Sequence, residues 1–92
     1  MNERQRFALT VLAQYEGHPV EASRIGSEHW TQTMRGDDED AKFKLRMATN
    51  PNIGWGRTLA WLAERGLVVR SLSDYSLTYW YEITEAGKEA LR

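Results

Sequence analysis

The last third of the chain, residues 55–92, constrains the fold most. Trp55, Leu59 and Leu62 recur at helical spacing and form one apolar stripe, which predicts an amphipathic helix. Gly66 follows this helix and is suited to ending it, because glycine tolerates the left-handed backbone of a helix C-terminus. The chain after this stop therefore has to start a different kind of element.

A β-hairpin and a terminal helix are predicted after that stop. Residues 67–72 have the composition of a strand, and the polar residues 73–76 form the tip of a turn. In the return strand, Leu77, Tyr79, Tyr81 and Ile83 share one face, and Thr78, Trp80 and Glu82 share the other. Thr84 is suited to capping the final helix. The expected core therefore comprises Val11, Leu12, Leu59, Leu62, Leu67, Tyr81 and Ile83.

Two motifs in this region resemble those of a known family. One is Leu59-x-x-Leu62-x-x-x-Gly66-Leu67-Val68, and the other is Tyr81-x-Ile83-Thr84-x-x-Gly87-x-x-x-Leu91. Together they cover roughly residues 53–92, and there the chain resembles winged helix-turn-helix transcription regulators of the broad MarR and PadR type. The resemblance implies a single α+β domain over residues 1–92. It has three or four helices and a two- to three-stranded antiparallel β-wing, and its recognition helix enters the DNA major groove.

The first part of the chain fits this family more loosely. Asn2 and Gln5 have the spacing of a capping box, and the helix that they begin should end at Gly17. Residues 21–25 have the composition of a short second helix, which is expected to end near Gly26. In the family a short turn then leads to the recognition helix, whereas about twenty-five residues intervene in this chain.

That intervening stretch, residues 27–51, is predicted to be an insertion placed before the recognition helix. Acidic residues 37–40 precede basic residues 42–46, and this order complements a helix dipole, so a helix is expected over 38–48. This helix is either an addition to the fold or the first helix of the helix-turn-helix itself. A metal site is not expected, because four consecutive acidic residues on a helix cannot all face one ion.

Composition and charge narrow the classes of function. The chain has no cysteine, its two histidines lie in no ligand-spaced motif, and no Gly-rich phosphate loop follows a strand, so we expect neither an enzyme nor a bound cofactor. No apolar run reaches membrane-spanning length and Met1–Arg4 has no signal core, so a cytoplasmic protein without membrane contact is expected. The net charge is −1, but residues 42–70 contain six basic groups and one acidic group.

The resemblance and this basic region together predict sequence-specific binding of double-stranded DNA by a small bacterial or phage transcription regulator. Arg57 is the best candidate for a base contact, because a guanidinium pairs bidentately with guanine. The other residues predicted to contact bases or phosphates are Asn52, Thr58, Arg65, Arg70 and Lys42. The tip of the predicted wing carries Asp74 and no Lys or Arg, although the family commonly has a basic residue there.

Two tryptophans support an alternative function. Trp61 lies off the apolar stripe of its helix, and Trp80 lies on the strand face opposite Tyr81, so another surface should cover each of them. That surface is the 27–50 segment, a second subunit of a homodimer, or a partner protein. The alternative to DNA binding is therefore a winged-helix interaction module, for example a phage protein that binds a host protein through Trp61 and Trp80.

Overall fold

The computed structural model describes residues 1–48, 54–75 and 77–92. It is a small α+β domain, and the described residues form five helices and a three-stranded antiparallel sheet. The elements are α1 (Glu3–Gln14), β1 (Val20–Glu21), α2 (Ala22–Arg35), α3 (Glu39–Met47), α4 (Trp55–Glu64), β2 (Val68–Leu72), β3 (Tyr79–Ile83) and α5 (Glu85–Ala90). This architecture is compatible with a winged helix, although it has one helix more than the upper number predicted.

Two helices begin at the polar caps predicted from the sequence, and a third begins within the predicted acidic run 37–40. Asn2 Oδ1 accepts the Gln5 N–H at 2.8 Å and the Asn2 N–H donates to Gln5 Oε1 at 2.9 Å, which confirms the capping box of α1. Asp38 Oδ1 accepts the Ala41 N–H at 3.0 Å and caps α3. Thr84 Oγ1 accepts the Gly87 N–H at 3.1 Å and caps α5. Each cap satisfies a backbone donor that the helix itself leaves without a partner.

The second helix is much longer than expected. The prediction that it ends near Gly26 is wrong, because α2 continues to Arg35 and Gly26 lies buried within it. The predicted insertion, residues 27–51, therefore includes the second half of α2 and all of α3, and its last residues lie outside the described chain. Helix α2 packs against both α1 and α4, whereas α3 packs against α2 and contributes no buried residue to the core.

The sheet has the strand order β1-β3-β2, so β3 is its central strand. Val20 of β1 lies opposite Tyr81 of β3, and on the other side of β3 the register with β2 is continuous from Val68 opposite Ile83 to Leu72 opposite Tyr79. We call the β2–β3 hairpin, residues 68–83, the wing. The strands of the wing confirm the predicted hairpin.

Helices α1, α2 and α4 enclose one core with the inner face of the sheet. The residues buried there are Ala8, Leu9, Val11, Leu12, Val20, Ile25, Trp55, Leu59, Leu62, Val68 and Tyr81. The predicted burial of Leu59, Leu62 and Tyr81 is confirmed, together with that of Val11 and Leu12. Leu67 and Ile83 were also expected to be buried, but they are half-buried, because they lie where the sheet passes into the short helix α5.

The C-terminal helix α5 is held closely against the start of the wing. Besides capping α5, Thr84 donates its hydroxyl to the Gly66 carbonyl at 2.7 Å, and its N–H donates to the Leu67 carbonyl at 3.1 Å. Gly87 is buried, and a Cβ on it would clash with the Leu67 carbonyl oxygen and with Ile83 Cγ1. A glycine at position 87 is therefore required for this close approach of helix to strand.

Candidate functional site

The outward face of α4 is determined by its buried stripe. Trp55, Leu59 and Leu62 are wholly buried, so Arg57 on the other side of the helix is exposed to solvent. Arg57 forms no ion pair or hydrogen bond with any of the described residues. Thr58 is half-buried, and its hydroxyl donates to the Gly54 carbonyl of the same helix at 3.0 Å. Asn52, also predicted to contact DNA, lies outside the described residues.

Among the described residues, no side chain caps the amino end of α4, and a second arginine lies next to it. Its N-cap residue, Gly54, has φ +91° and provides no side-chain cap, so the first N–H groups of the helix are not bonded by the usual capping side chain. The Arg4 guanidinium lies 4.0 Å from the centroid of the Trp55 ring and would lie 3.2 Å from a Cβ on Gly54. No atom of a described residue lies within 4 Å of the Cβ position at Gly56. The first turn of α4 therefore presents backbone beside two guanidinium groups, those of Arg4 and Arg57.

An aromatic cluster packs against the buried face of α4, at Trp55. The rings of Phe7 (α1) and His29 (α2) are 5.3 Å apart edge-to-face, and their centroids lie 5.7 Å and 5.2 Å, respectively, from that of Trp55. Burial lowers the pKa of His29, and the nearby positive charge of Arg4 lowers it further. The Trp55 indole N–H is buried and has no hydrogen-bond partner among the described residues. This cluster was not predicted, because its three rings come from three separate helices, α1, α2 and α4.

Three of the predicted DNA-contacting cations are held by contacts within the chain. Arg65 stacks on Trp61, with its guanidinium carbon 3.6 Å from the ring centroid, and donates to the Trp61 carbonyl at 3.2 Å. Arg70 lies 4.4 Å from the centroid of Tyr79 on the inner face of the wing. Lys42 forms an ion pair with Glu39 at 3.1 Å. Arg65 and Arg70 remain solvent-exposed, so each is positioned by an aromatic ring and not buried beneath it.

A mainly apolar groove of about 380 Å³ lies between α4 and the wing. Gly56 belongs to its α4 side and Leu77, Tyr79 and Tyr81 belong to its wing side, while Ala22 at the start of α2 is among its other lining residues. Burial raises the pKa of Tyr81, an effect that the charge of Arg70 partly opposes, so this phenol stays protonated near neutral pH. The exposed first turn of α4 and the wing thus border one continuous depression.

The two tryptophans predicted to form a protein interface are both half-buried. Trp61 packs against the core and beneath Arg65. Trp80 lines a second groove of about 530 Å³. The groove is also lined by Tyr15 and Pro19 from the segment between α1 and β1, and by Arg24 from α2. The structure therefore covers each tryptophan in part, and Trp80 retains an aromatic surface in an open groove.

The described residues contain no cluster of three or more His, Asp or Glu side chains that could hold a metal ion. Within the same part of the chain, no helix has both the length and the apolar character needed to cross a membrane. No protein-family model, curated protein or solved structure matches this chain.

Proposed function

We propose that this protein is a winged-helix protein that binds double-stranded DNA through the exposed face of α4, with the wing beside it. The observation that carries the proposal is the first turn of α4. It combines an N-terminus without a side-chain cap from any described residue, two solvent-exposed glycines, Gly54 and Gly56, and two guanidinium groups from Arg57 and Arg4. Backbone N–H groups at a helix N-terminus attract phosphate, and an exposed arginine there can reach a base edge.

The distribution of charge supports the same face. Six basic groups against one acidic group lie between residues 42 and 70, which includes α4 and the start of the wing. Arg65 at the end of α4 and Arg70 in β2 are exposed and pre-oriented by Trp61 and Tyr79, so contacting phosphate would cost them less side-chain entropy. Lys42 would have to leave Glu39 to contribute, and we therefore expect it to contribute least.

The proposal is tested by comparing two arginine variants in a duplex-binding assay. Sites are first selected from a random duplex library with the wild-type protein, and affinity is then measured by fluorescence anisotropy at several salt concentrations. Arg57→Ala should weaken binding by about 1–3 kcal/mol and relax the preference at one base pair, because it removes a base contact. Arg92→Ala, which removes the same charge from an exposed residue beyond α5, is the matched control and should change affinity much less.

Two results would contradict DNA binding. One is the absence of any duplex shift at about 50 mM salt, where non-specific electrostatic binding is already strong. The other is an equal loss of affinity in Arg57→Ala and Arg92→Ala, which would indicate attraction to net charge and not recognition by α4.

The second candidate is a protein-binding module without DNA binding, and one observation favours it. The wing exposes apolar side chains instead of the basic tip usual in the family: Tyr75 is fully exposed, and Leu77 is 79% exposed. Trp80 adds an open aromatic groove next to the sheet. If no duplex is bound, loss of a captured protein partner upon Tyr75→Ser would assign that function to the wing, and its loss upon Trp80→Ser alone would assign it to the Trp80 groove.

A further inference from the structure

The Trp80 groove, the opening of about 530 Å³ beside β1 and α2, brings two opposite charges next to an indole ring. The register places Glu21 of β1 directly opposite Trp80 of β3, so both side chains lie on the same face of the sheet. Glu21 is the N-cap residue of α2 and Arg24 is the third residue of that helix, a spacing at which two side chains can reach each other. A carboxylate, a guanidinium and an indole therefore line one open space.

Neither charge is neutralised by a charged side chain of the described residues. Arg24 is exposed and forms no ion pair or hydrogen bond with any of them. The Glu21 carboxylate accepts the Ser23 hydroxyl at 3.4 Å and takes part in no ion pair within the same part of the chain. Ser23 and Ser27 also line the groove. Both charges are therefore available to a bound molecule, with hydroxyl groups beside them.

The rest of the groove offers aromatic and apolar surface. Trp80 is half-buried, and Pro19 next to it is exposed. Tyr15 donates its hydroxyl to the Glu28 carboxylate at 3.3 Å, which restricts the position of its ring. Aromatic rings attract a further ring in edge-to-face or offset packing. The volume of the groove lies within the range of about 300–1,000 Å³ that is usual for small-molecule sites.

We infer that the Trp80 groove binds a free α-amino acid with an aromatic side chain. The ammonium group of the amino acid pairs with Glu21, and its carboxylate pairs with Arg24 and accepts a hydroxyl from Ser27. Its ring packs against Trp80. Each part of the ligand thus meets a group that the groove already presents, and charge-assisted hydrogen bonds of this kind are the strong ones.

The pair of charges in the groove selects a zwitterion over an ion of one sign. A simple anion drawn to Arg24 would also meet the negative charge of Glu21, and a simple cation drawn to Glu21 would meet the positive charge of Arg24. Either ligand would leave one protein charge without a counterpart after losing part of its water, which is unfavourable. An α-amino acid has its two charges on adjacent carbon atoms and therefore serves both side chains at once.

Isothermal titration with L-phenylalanine and three analogues tests the ligand class. N-acetyl-L-phenylalanine lacks the ammonium group, L-phenylalaninamide lacks the carboxylate, and L-alanine lacks the ring. L-phenylalanine should bind saturably at millimolar concentrations, and each analogue should bind at least about tenfold more weakly, because each loses one of the three contacts. The absence of saturable binding of L-phenylalanine, or equally tight binding of either singly charged analogue, would overturn the inference.

Two arginine variants test the position of the site. Arg24→Gln should weaken binding of L-phenylalanine by at least about tenfold, but it should not weaken binding of L-phenylalaninamide, which has no carboxylate to lose a contact. Arg35→Gln is the matched control, because it removes the same charge from the other end of α2, outside the groove. Both arginines are exposed, so both variants should keep the circular dichroism spectrum of the wild type. Equal weakening in the two variants would contradict the assigned site.

Tryptophan fluorescence provides a second readout, since L-phenylalanine does not absorb where tryptophan is excited. Covering Trp80 should shift the emission of the wild type to shorter wavelength, and the conservative variant Trp80→Phe should lose that shift. A shift that persists in Trp80→Phe would place the ligand at another tryptophan and overturn the inference. None of these titrations contains DNA, so their failure would leave the proposed role of α4 unaffected, and failure of DNA binding would leave the amino-acid site unaffected.

Discussion

Replacing Gly87 by alanine adds only one methyl group but should destabilise the domain strongly. The added Cβ would clash with the Leu67 carbonyl oxygen and with Ile83 Cγ1. That carbonyl is backbone, and it already accepts the Thr84 N–H at 3.1 Å, so it cannot move aside as a flexible side chain would. Overpacking costs about 1–3 kcal/mol, and loss of the strained hydrogen bond adds about 1 kcal/mol. We expect Gly87→Ala to lower the free energy of unfolding by about 2–4 kcal/mol.

The matched control is the same substitution at Gly56, within the first turn of α4. Here a Cβ meets no described atom within 4 Å, and the helical backbone suits alanine. Gly56→Ala should therefore raise the free energy of unfolding by about 0.4–1 kcal/mol, because it restricts the unfolded chain. Urea denaturation at constant pH and temperature measures both changes. A midpoint for Gly87→Ala equal to that of the wild type, or shifts of the same sign for both variants, would refute the argument that α5 approaches β2 too closely for a side chain.

Two further predictions concern the core and its dependence on pH. Leu62→Ala should lower the free energy of unfolding by about 2–5 kcal/mol because Leu62 is wholly buried, whereas Leu72→Ala, at an exposed residue, should cost less than about 1 kcal/mol in the same urea titration. Similar costs at the two sites would show that the predicted helix phase is wrong. His29 has a pKa lowered by burial and by Arg4, so between that pKa and 6.5 the unfolded chain binds more protons than the folded one. The contribution of neutral His29 to the free energy of unfolding should therefore be complete above pH 6.5 and should decrease as the pH drops through this window. The variant His29→Gln should flatten that part of the pH profile of stability. An unchanged profile in this variant would contradict the assignment.

The element boundaries set by local chemistry could be predicted from the sequence. Asn2, Asp38 and Thr84 each cap a helix where their residue type and spacing indicate, because a cap requires only a short polar side chain near the first turn. The hairpin was also predictable, because the alternation of apolar residues survives in β3. These features depend on neighbours within about four residues, and a single sequence contains that information.

The full length of α2 could not be predicted in the same way. Gly26 has a low helix propensity and was interpreted as a stop, but it lies within the helix where α2 is buried against its neighbours. The continuation is stabilised by distant contacts, above all those of His29 with Phe7 and Trp55. Tertiary packing of this kind outweighs a propensity difference of about 1 kcal/mol, and no local pattern reports it.

The candidate site was predicted in its outline but not in its detail. The apolar stripe of α4 correctly indicated that Arg57 is exposed, because helical spacing alone determines the opposite face. The aromatic partners of Arg4 and Arg70 depend on how separate elements meet. The stacking of Arg65 on Trp61, four residues earlier on the same helix, is the one such contact that spacing could have indicated.

The position of β3 at the centre of the sheet also has a consequence for how the protein is made. In the described part of the chain Val20 pairs with Tyr81, which the ribosome adds sixty-one residues later. At about 5–20 residues per second, the first strand waits roughly 3–12 s for its neighbour. During that interval α1 and α2 can form, but their apolar faces have no sheet to cover them. A nascent chain of this protein should therefore be most dependent on chaperones until the penultimate element has been synthesised, and truncation before residue 79 should yield aggregates and not a smaller folded domain.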